Sequence, residues 1–169
     1  MLDIPLRERR KDYMTDQGRL ARARRPFVQV EFTDQVQGYF RRAVMVDTCA
    51  PFSVLPYSLW HDKNLWWQPL GSQLQTLTGQ PDPEALKWCG VPCLLAETQA
   101  VLVDEAGQRS RFCRMVAKFL TTLLPRQLES SIILGYNFLF DNSITMKLHP
   151  ASPITVGSFS NVVGFLTVP

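Results

Sequence analysis

Apolar and polar side chains alternate along much of this chain, in the pattern typical of strands with one buried face. Residues 27–32 have an alternating pattern of apolar and polar side chains, a polar turn follows, and residues 40–46 have the pattern of a returning strand that becomes more apolar toward its end. A period of two residues places successive side chains on opposite faces of a sheet. The two segments therefore predict a β-hairpin whose second strand leads directly into Asp47.

Similar patterns predict the elements in the middle of the chain. Residues 52–55 predict a short strand, and residues 57–62 predict one helical turn. Residues 74–94 predict a long hairpin with its tip near 79–88, because a glycine and two prolines there cannot continue a strand ladder. A second hairpin is predicted over residues 98–119, with an acidic turn that contains glycine between its strands.

The last third of the chain contains shorter pieces of the same kind. A buried strand is predicted over residues 132–134, a short helix over 137–142 and strands over 144–148, 154–156 and 162–168. The length of 169 residues, with twelve prolines and nine glycines, favours one domain with many short strands and turns. The sum predicts an all-β fold, a small closed barrel with one or two short helices.

Charge is distributed unevenly along the chain. Residues 1–25 contain eight Lys or Arg and four Asp or Glu, a formal charge of +4, while residues 26–169 have a formal charge of −1. This composition predicts a flexible basic arm over residues 1–25 ahead of a β domain over residues 26–169. Contact with nucleic acid is judged unlikely, because Tyr13 is the arm's single aromatic residue and base stacking needs several.

The compartment is predicted from the start of the chain and from its cysteines. The first residues lack the apolar core of a secretory signal, and no apolar run reaches the about 20 residues that cross a bilayer. The sequence therefore predicts a cytoplasmic protein without membrane contact. Its cysteines, which are Cys49, Cys89, Cys93 and Cys113, are then expected to be free thiols.

The candidate chemistry lies in an Asp-Thr pair between two apolar strands. Asp47 and Thr48 follow the apolar run at 43–46, and Ile133-Leu134-Gly135 forms a second apolar motif about eighty residues later. Together these segments resemble the two signatures of retropepsin-like aspartic proteases, which are an Asp-Thr-Gly-Ala catalytic loop and a late apolar-apolar-Gly motif. This chain differs from the family at Cys49, where the family has glycine.

The resemblance covers roughly residues 27–148 and implies roles for individual residues. Asp47 would be the catalytic carboxylate, and Thr48 would supply the hydroxyl that stiffens the paired loops across a dimer. Residues implied to form the loop, the groove and the support behind them are Cys49, Ala50, Ile133, Leu134 and Gly135. Residues implied to belong to a flap over the substrate are Gly79, Trp88 and Gly90.

Aspartic peptidase chemistry needs two carboxylates that share one proton and act as acid and base on a water molecule. The chain carries one motif of this type, and Asp141, beside the second motif, lacks the strand-and-turn context. The resemblance therefore implies a homodimer that hydrolyses peptide bonds of a peptide or protein substrate, with Asp47 from each copy near the twofold axis. No cofactor is implied.

Several alternatives stay open. Cys49 carries a Cβ and a thiol where glycine would allow positive φ and close approach, so the domain would be catalytically impaired and act as a peptide-binding or dimerisation module. Asp47 would otherwise simply cap a turn in another small barrel. In a third alternative, the basic arm is the working part and the barrel is a scaffold that dimerises.

Two further kinds of chemistry are weaker interpretations of the cysteines. Cys49 as a nucleophile would need His61 or His149 as its base, and nothing in the sequence places either histidine beside it. Cys89 and Cys93 have a spacing found in zinc sites, but the second ligand pair is missing. No metal is therefore expected.

Overall fold

The computed structural model describes residues 1–71, 78–80, 82–123, 132–149, 154–156 and 159–169. Its strands are β1 (Leu2–Met14), β2 (Leu20–Asp34), β3 (Gly38–Val46), β4 (Ser53–Leu55), β5 (Gln68–Gly71), β6 (Lys87–Trp88), β7 (Val91–Val103), β8 (Cys113–Leu120), β9 (Ile133–Leu134), β10 (Thr145–Leu148), β11 (Ile154–Val156) and β12 (Phe159–Val168). The helices are α1 (Tyr57–Asp62), a single 3₁₀ turn (Pro83–Leu86) and α2 (Tyr136–Asp141).

Six strands close into a barrel in the order β2, β3, β9, β4, β8, β7, and β7 pairs again with β2. The prediction of an all-β closed barrel with short helices is confirmed. The barrel is filled by fully buried apolar side chains from facing strands. The largest of them include Phe32, Leu55, Leu102, Met115, Phe119 and Leu134.

The hairpin that leads to Asp47 has the predicted form. Strands β2 and β3 pair in antiparallel register, with Phe32 opposite Phe40 and their rings stacked 5.5 Å apart. The Asp34 carboxylate accepts hydrogen bonds from the backbone N–H groups of Val36 and Gln37, which closes the turn. Local side-chain bonding of this kind is why Asp favours turns.

The hairpin predicted over residues 98–119 is also confirmed, although its first strand is longer than predicted. Strand β7 runs from Val91 to Val103 and pairs with β8 from Cys93 opposite Leu120 to Ala100 opposite Cys113. The predicted helices are found within one residue of their expected bounds, as α1 and α2.

The hairpin predicted over residues 74–94 has a different tip. Residues 72–77 lie outside the described part of the chain, but β6 turns into β7 through Cys89 and Gly90, with Trp88 opposite Val91. Both turn residues have positive φ, 48° and 80°. Two such residues form the tight turn whose twist matches paired strands, so this turn lies at 89–90, whereas the sequence placed a broad tip near 79–88.

The expectation of a poorly ordered arm is wrong for the start of the chain. Residues 2–7 of β1 pair with β12, from Leu2 opposite Val168 to Arg7 opposite Val162. Ile4 and Leu6 are fully buried in the main core. Their partner strand comes from the other end of the chain. The local sequence, which is rich in arginine, therefore did not predict that β1 contributes side chains to the core.

Candidate functional site

Asp47 lies in a tight turn that connects β3 to β4. Its backbone N–H donates a 3.0 Å hydrogen bond to the carbonyl oxygen of Leu134, and its carbonyl oxygen accepts a 3.2 Å bond from the N–H of Ala50. Its carboxylate accepts a 3.0 Å bond from the N–H of Cys49. The backbone of Asp47 is therefore held by strand β9 and by the turn, and its carboxylate is held by the turn.

Strand β9 lies between β3 and β4, the two strands that the turn connects. Ile133 pairs in parallel with Met45 of β3 and in antiparallel with Val54 of β4. Beyond β9, the N–H of Tyr136 donates to the carbonyl of Ala50 at 2.8 Å. The two motifs of the sequence thus contact each other through backbone hydrogen bonds on both sides of the turn.

Gly135 and Asn137 fix this contact. A Cβ on Gly135 would lie 2.3 Å from the carbonyl carbon of Phe52, so a residue with a side chain does not fit without a backbone shift. The Gly135 N–H donates to the buried Ser53 hydroxyl at 3.1 Å. The Asn137 side chain accepts from the Ser53 N–H at 3.2 Å and donates to the Val116 carbonyl at 2.8 Å. The late motif therefore supports the turn from behind.

Exposure differs along the turn. Asp47 and Ala50 are half-buried, whereas Thr48 and Cys49 are exposed. Cys49 is not among the described non-glycine residues with positive φ. The concern that a residue other than glycine would strain this backbone therefore does not apply within a single chain, because Cys49 sits in a conformation open to any L-residue.

A second apolar cluster, separate from the main core, lies beside the turn. Its buried members are Val54, Cys93, Leu120 and Ile133, and Met45, Ala50, Trp88 and Val91 pack against them. Burial raises the pKa of the Cys93 thiol, which donates to the Val91 carbonyl at 3.3 Å. The cluster thus joins Ala50 of the turn with Trp88 of the β6–β7 hairpin.

Lys118 of β8 makes another connection between these two segments. Its ammonium donates a 2.8 Å hydrogen bond to the carbonyl oxygen of Lys87 and lies 5.8 Å from the centre of the Phe52 ring. Of the residues predicted for a flap, Trp88 therefore lies in the group around the turn, and Gly90 forms the exposed tip of the β6–β7 hairpin. Gly79 lies in an exposed bend, where an added Cβ would meet no described atom within 4 Å.

An uncharged hollow next to Thr48 was missed by the sequence reasoning. Its walls come from α2 and the segment that follows it, and its lining residues are Thr48, Tyr136, Leu139, Phe140, Ser143, Ile144, Thr145 and Met146. Tyr136 and Phe140 are 53% and 71% exposed, and their rings stack 6.1 Å apart. One feature of the sequence could have indicated this hollow. Two aromatic residues stand four positions apart near a predicted helix, and residues with that spacing share one helix face.

Within the described ranges, no group of three or more His, Cys, Asp or Glu side chains is arranged to hold a metal ion. Among the helices of the same ranges, none combines the length and the apolar character that crossing a bilayer requires.

Comparison with models of known protein families gives no match for this chain. A search of curated protein sequences likewise finds no relative. The interpretation of the site therefore depends on its own geometry.

Proposed function

We propose that the protein is an aspartic endopeptidase of the retropepsin type, which works as a homodimer through Asp47 of each copy. The observation that carries the proposal is the fixed position of Asp47. Its N–H is bonded to Leu134, its carbonyl to Ala50 and its carboxylate to the N–H of Cys49. A carboxylate that is held by the backbone and still half exposed is suited to act on a substrate without reorganising.

The chemistry follows from two such carboxylates beside one water molecule. One Asp47 carboxylate accepts a proton from the water, whose oxygen forms a bond to the peptide carbonyl carbon. The other Asp47, protonated, donates to the carbonyl oxygen. Collapse of the tetrahedral intermediate breaks the C–N bond and forms the new carboxyl group. One hydroxyl of the intermediate returns a proton to the second Asp47, and the leaving amine takes up the proton that the first Asp47 accepted from the water. Like charges this close cannot both ionise, which keeps one proton on the pair.

The second carboxylate comes from a second copy of the chain. Thr48 lies at the rim of the uncharged hollow, and the exposed Tyr136–Phe140 pair lies on its wall. An uncharged, partly aromatic surface is typical of the centre of a protein interface. A twofold contact through this surface would bring Thr48 of each copy, and with it the neighbouring Asp47, toward the axis.

The substrate would lie extended between the turn and the β6–β7 hairpin. The apolar cluster and Lys118 tie both segments to the same part of the barrel. Peptides that bind as an added strand are held mainly by main-chain hydrogen bonds, which favours unfolded or flexible segments as substrates.

Cleavage of a quenched fluorescent peptide library at about pH 5, in the acidic range where paired carboxylates act as acid and base, tests the proposal. Asp47→Asn keeps the shape of the side chain and should lower the rate by at least ~100-fold, because it removes the acid–base pair. Asp141→Asn is the matched control, since Asp141 is an exposed acid on α2. Equal activity of Asp47→Asn and the wild type would refute the peptidase.

A second candidate function is a dimeric peptide-binding module without turnover. It is favoured by Cys49, whose backbone N–H donates to the Asp47 carboxylate and whose exposed side chain adds bulk to this turn that glycine would lack. Peptides that bind with micromolar affinity in fluorescence anisotropy and stay intact over days would support this function. Cleavage that depends on Asp47 would exclude it.

A further inference from the structure

The first hairpin of the chain continues beyond the barrel as a two-stranded ribbon. Strand β1 pairs with β12 only as far as Arg7, and β2 pairs with β3 only from Phe27 onward. Between these points, residues 8–14 pair with residues 20–26 and with no other described strand. Residues 8–26 are called the basic ribbon below.

The basic ribbon carries a large excess of positive charge. It contains seven Lys or Arg and three Asp or Glu, a formal charge of +4. The backbone register places Arg9 directly opposite Arg25, and both side chains are exposed. Like charges at directly opposed positions destabilise a strand pair, and an isolated two-stranded hairpin is marginally stable in water. A polyanion bound to the ribbon would attract both arginines and so offset the repulsion between them.

The base of the ribbon is anchored to the barrel. Arg7 forms an ion pair with Glu105, and the guanidinium of Arg9 lies 4.4 Å from the centre of the Phe27 ring. Ile4 and Leu6, just before the ribbon, are fully buried. The ribbon is therefore presented on a fixed base, which lowers the entropy lost when it binds a partner.

We propose that the basic ribbon binds double-stranded DNA through its phosphates. The major groove of B-DNA admits a two-stranded β-ribbon, whereas the major groove of A-form RNA is too narrow to enter. Arginine matches phosphate geometry with two parallel hydrogen bonds. Tyr13 is the ribbon's single aromatic residue, so stacking on unpaired bases contributes little and the binding is insensitive to base sequence.

The experiment measures fluorescence anisotropy of a labelled 20-base-pair duplex with the full chain over a salt series. Arg9→Ala combined with Arg25→Ala should weaken binding at least tenfold and reduce the slope of log K against log salt by about 2, since each lost phosphate contact contributes ~0.9. The matched control is Arg42→Ala with Lys63→Ala, which removes two exposed charges elsewhere. The control should change affinity less than threefold.

A second variant separates binding from folding of the ribbon. Arg25→Glu places opposite charges across the ribbon, so the thermal unfolding midpoint should stay or rise while DNA affinity falls at least tenfold. If Arg9→Ala with Arg25→Ala lost no more DNA affinity than the control Arg42→Ala with Lys63→Ala, the proposal would be overturned. A preference for single-stranded oligonucleotides would also overturn it, and so would binding to vesicles of anionic phospholipid without binding to duplex DNA. Asp47→Asn should leave DNA binding unchanged, which keeps this test independent of the proposed peptidase.

Discussion

The backbone N–H of Asp47 donates a 3.0 Å hydrogen bond to the carbonyl oxygen of Leu134. This bond joins the residue that follows β3 to the last residue of β9, and the next residue, Gly135, approaches the Phe52 backbone closely. The position of the candidate catalytic carboxylate is therefore set by a strand that is remote in sequence. Changes in β9 and just after it should affect both stability and activity.

Gly135→Ala tests this support. The added Cβ would lie 2.3 Å from the carbonyl carbon of Phe52, so the β4 backbone must move, and the free energy of unfolding should fall by about 3 kcal/mol. Urea denaturation measures this loss. Gly107→Ala is the control, because a Cβ there meets open space and only its φ of 85° is unfavourable. That strain costs about 1–2 kcal/mol. A loss at Gly135 no larger than the loss at Gly107 would contradict the close packing.

Cys49→Gly tests whether the Cβ and thiol hinder catalysis. The variant should cleave peptides faster than the wild type, because it removes an exposed side chain from the turn that holds the Asp47 carboxylate. Cys49→Ser keeps the size and should cleave at the wild-type rate. Equal rates for all three proteins would show that this side chain does not limit turnover, and a gain in Cys49→Ser would point to the thiol itself.

The four cysteines should separate into two classes in thiol labelling. Cys49 and Cys89 are exposed, whereas Cys93 and Cys113 are buried. Burial raises the pKa of the thiols of Cys93 and Cys113 above the ordinary value of 9.0. Since thiolate is the reactive form, mass spectrometry after brief alkylation of the native protein at pH 8 should find Cys49 and Cys89 modified and the buried pair protected. Rapid modification of Cys93 would contradict its place in the cluster.

The same two buried thiols predict a loss of stability at high pH. Below pH 9 they are neutral in both the folded and the unfolded chain, so their contribution to stability is fully present. As pH rises above 9.0, the unfolded chain releases these protons first, because the folded-state pKa values are raised. The free energy of unfolding of the wild type should therefore decline above pH 9, relative to its own value at pH 7. In the double variant Cys93→Ala with Cys113→Ala, the same decline should be smaller.

Phe140→Asp tests the hollow beside Thr48 as the contact between two copies. Phe140 is 71% exposed, so the change should leave the unfolding free energy of the chain nearly unaltered. It should raise the protein concentration needed for half-maximal peptidase activity about tenfold or more, because a charge replaces apolar surface in the contact. Val36→Asp, at an exposed apolar site in the β2–β3 turn, is the matched control. Equal dimerisation of both variants by analytical ultracentrifugation would exclude this surface.

Local sequence patterns were sufficient to predict those strands of the barrel whose paired strands are close in the chain. The β2–β3 hairpin, the β7–β8 hairpin, α1 and α2 all follow from alternating or helical periodicity in segments that are neighbours along the chain. The turn at Asp47 could also be predicted, because an acidic residue between two apolar strands favours a turn. These features depend on backbone geometry and on solvent exposure of one face, both of which are encoded locally.

The tertiary structure alone decided where distant segments meet. Ile4 and Leu6 became core residues because β12 supplies their partner strand, although the arginines after them suggested a solvated arm. The pairing of β9 between β3 and β4 fixed Asp47, and packing of α2 against the barrel left Tyr136 and Phe140 exposed beside Thr48. Periodicity gives the buried face of a segment but not its partner, because pairing between distant strands is selected by the packing of the whole barrel.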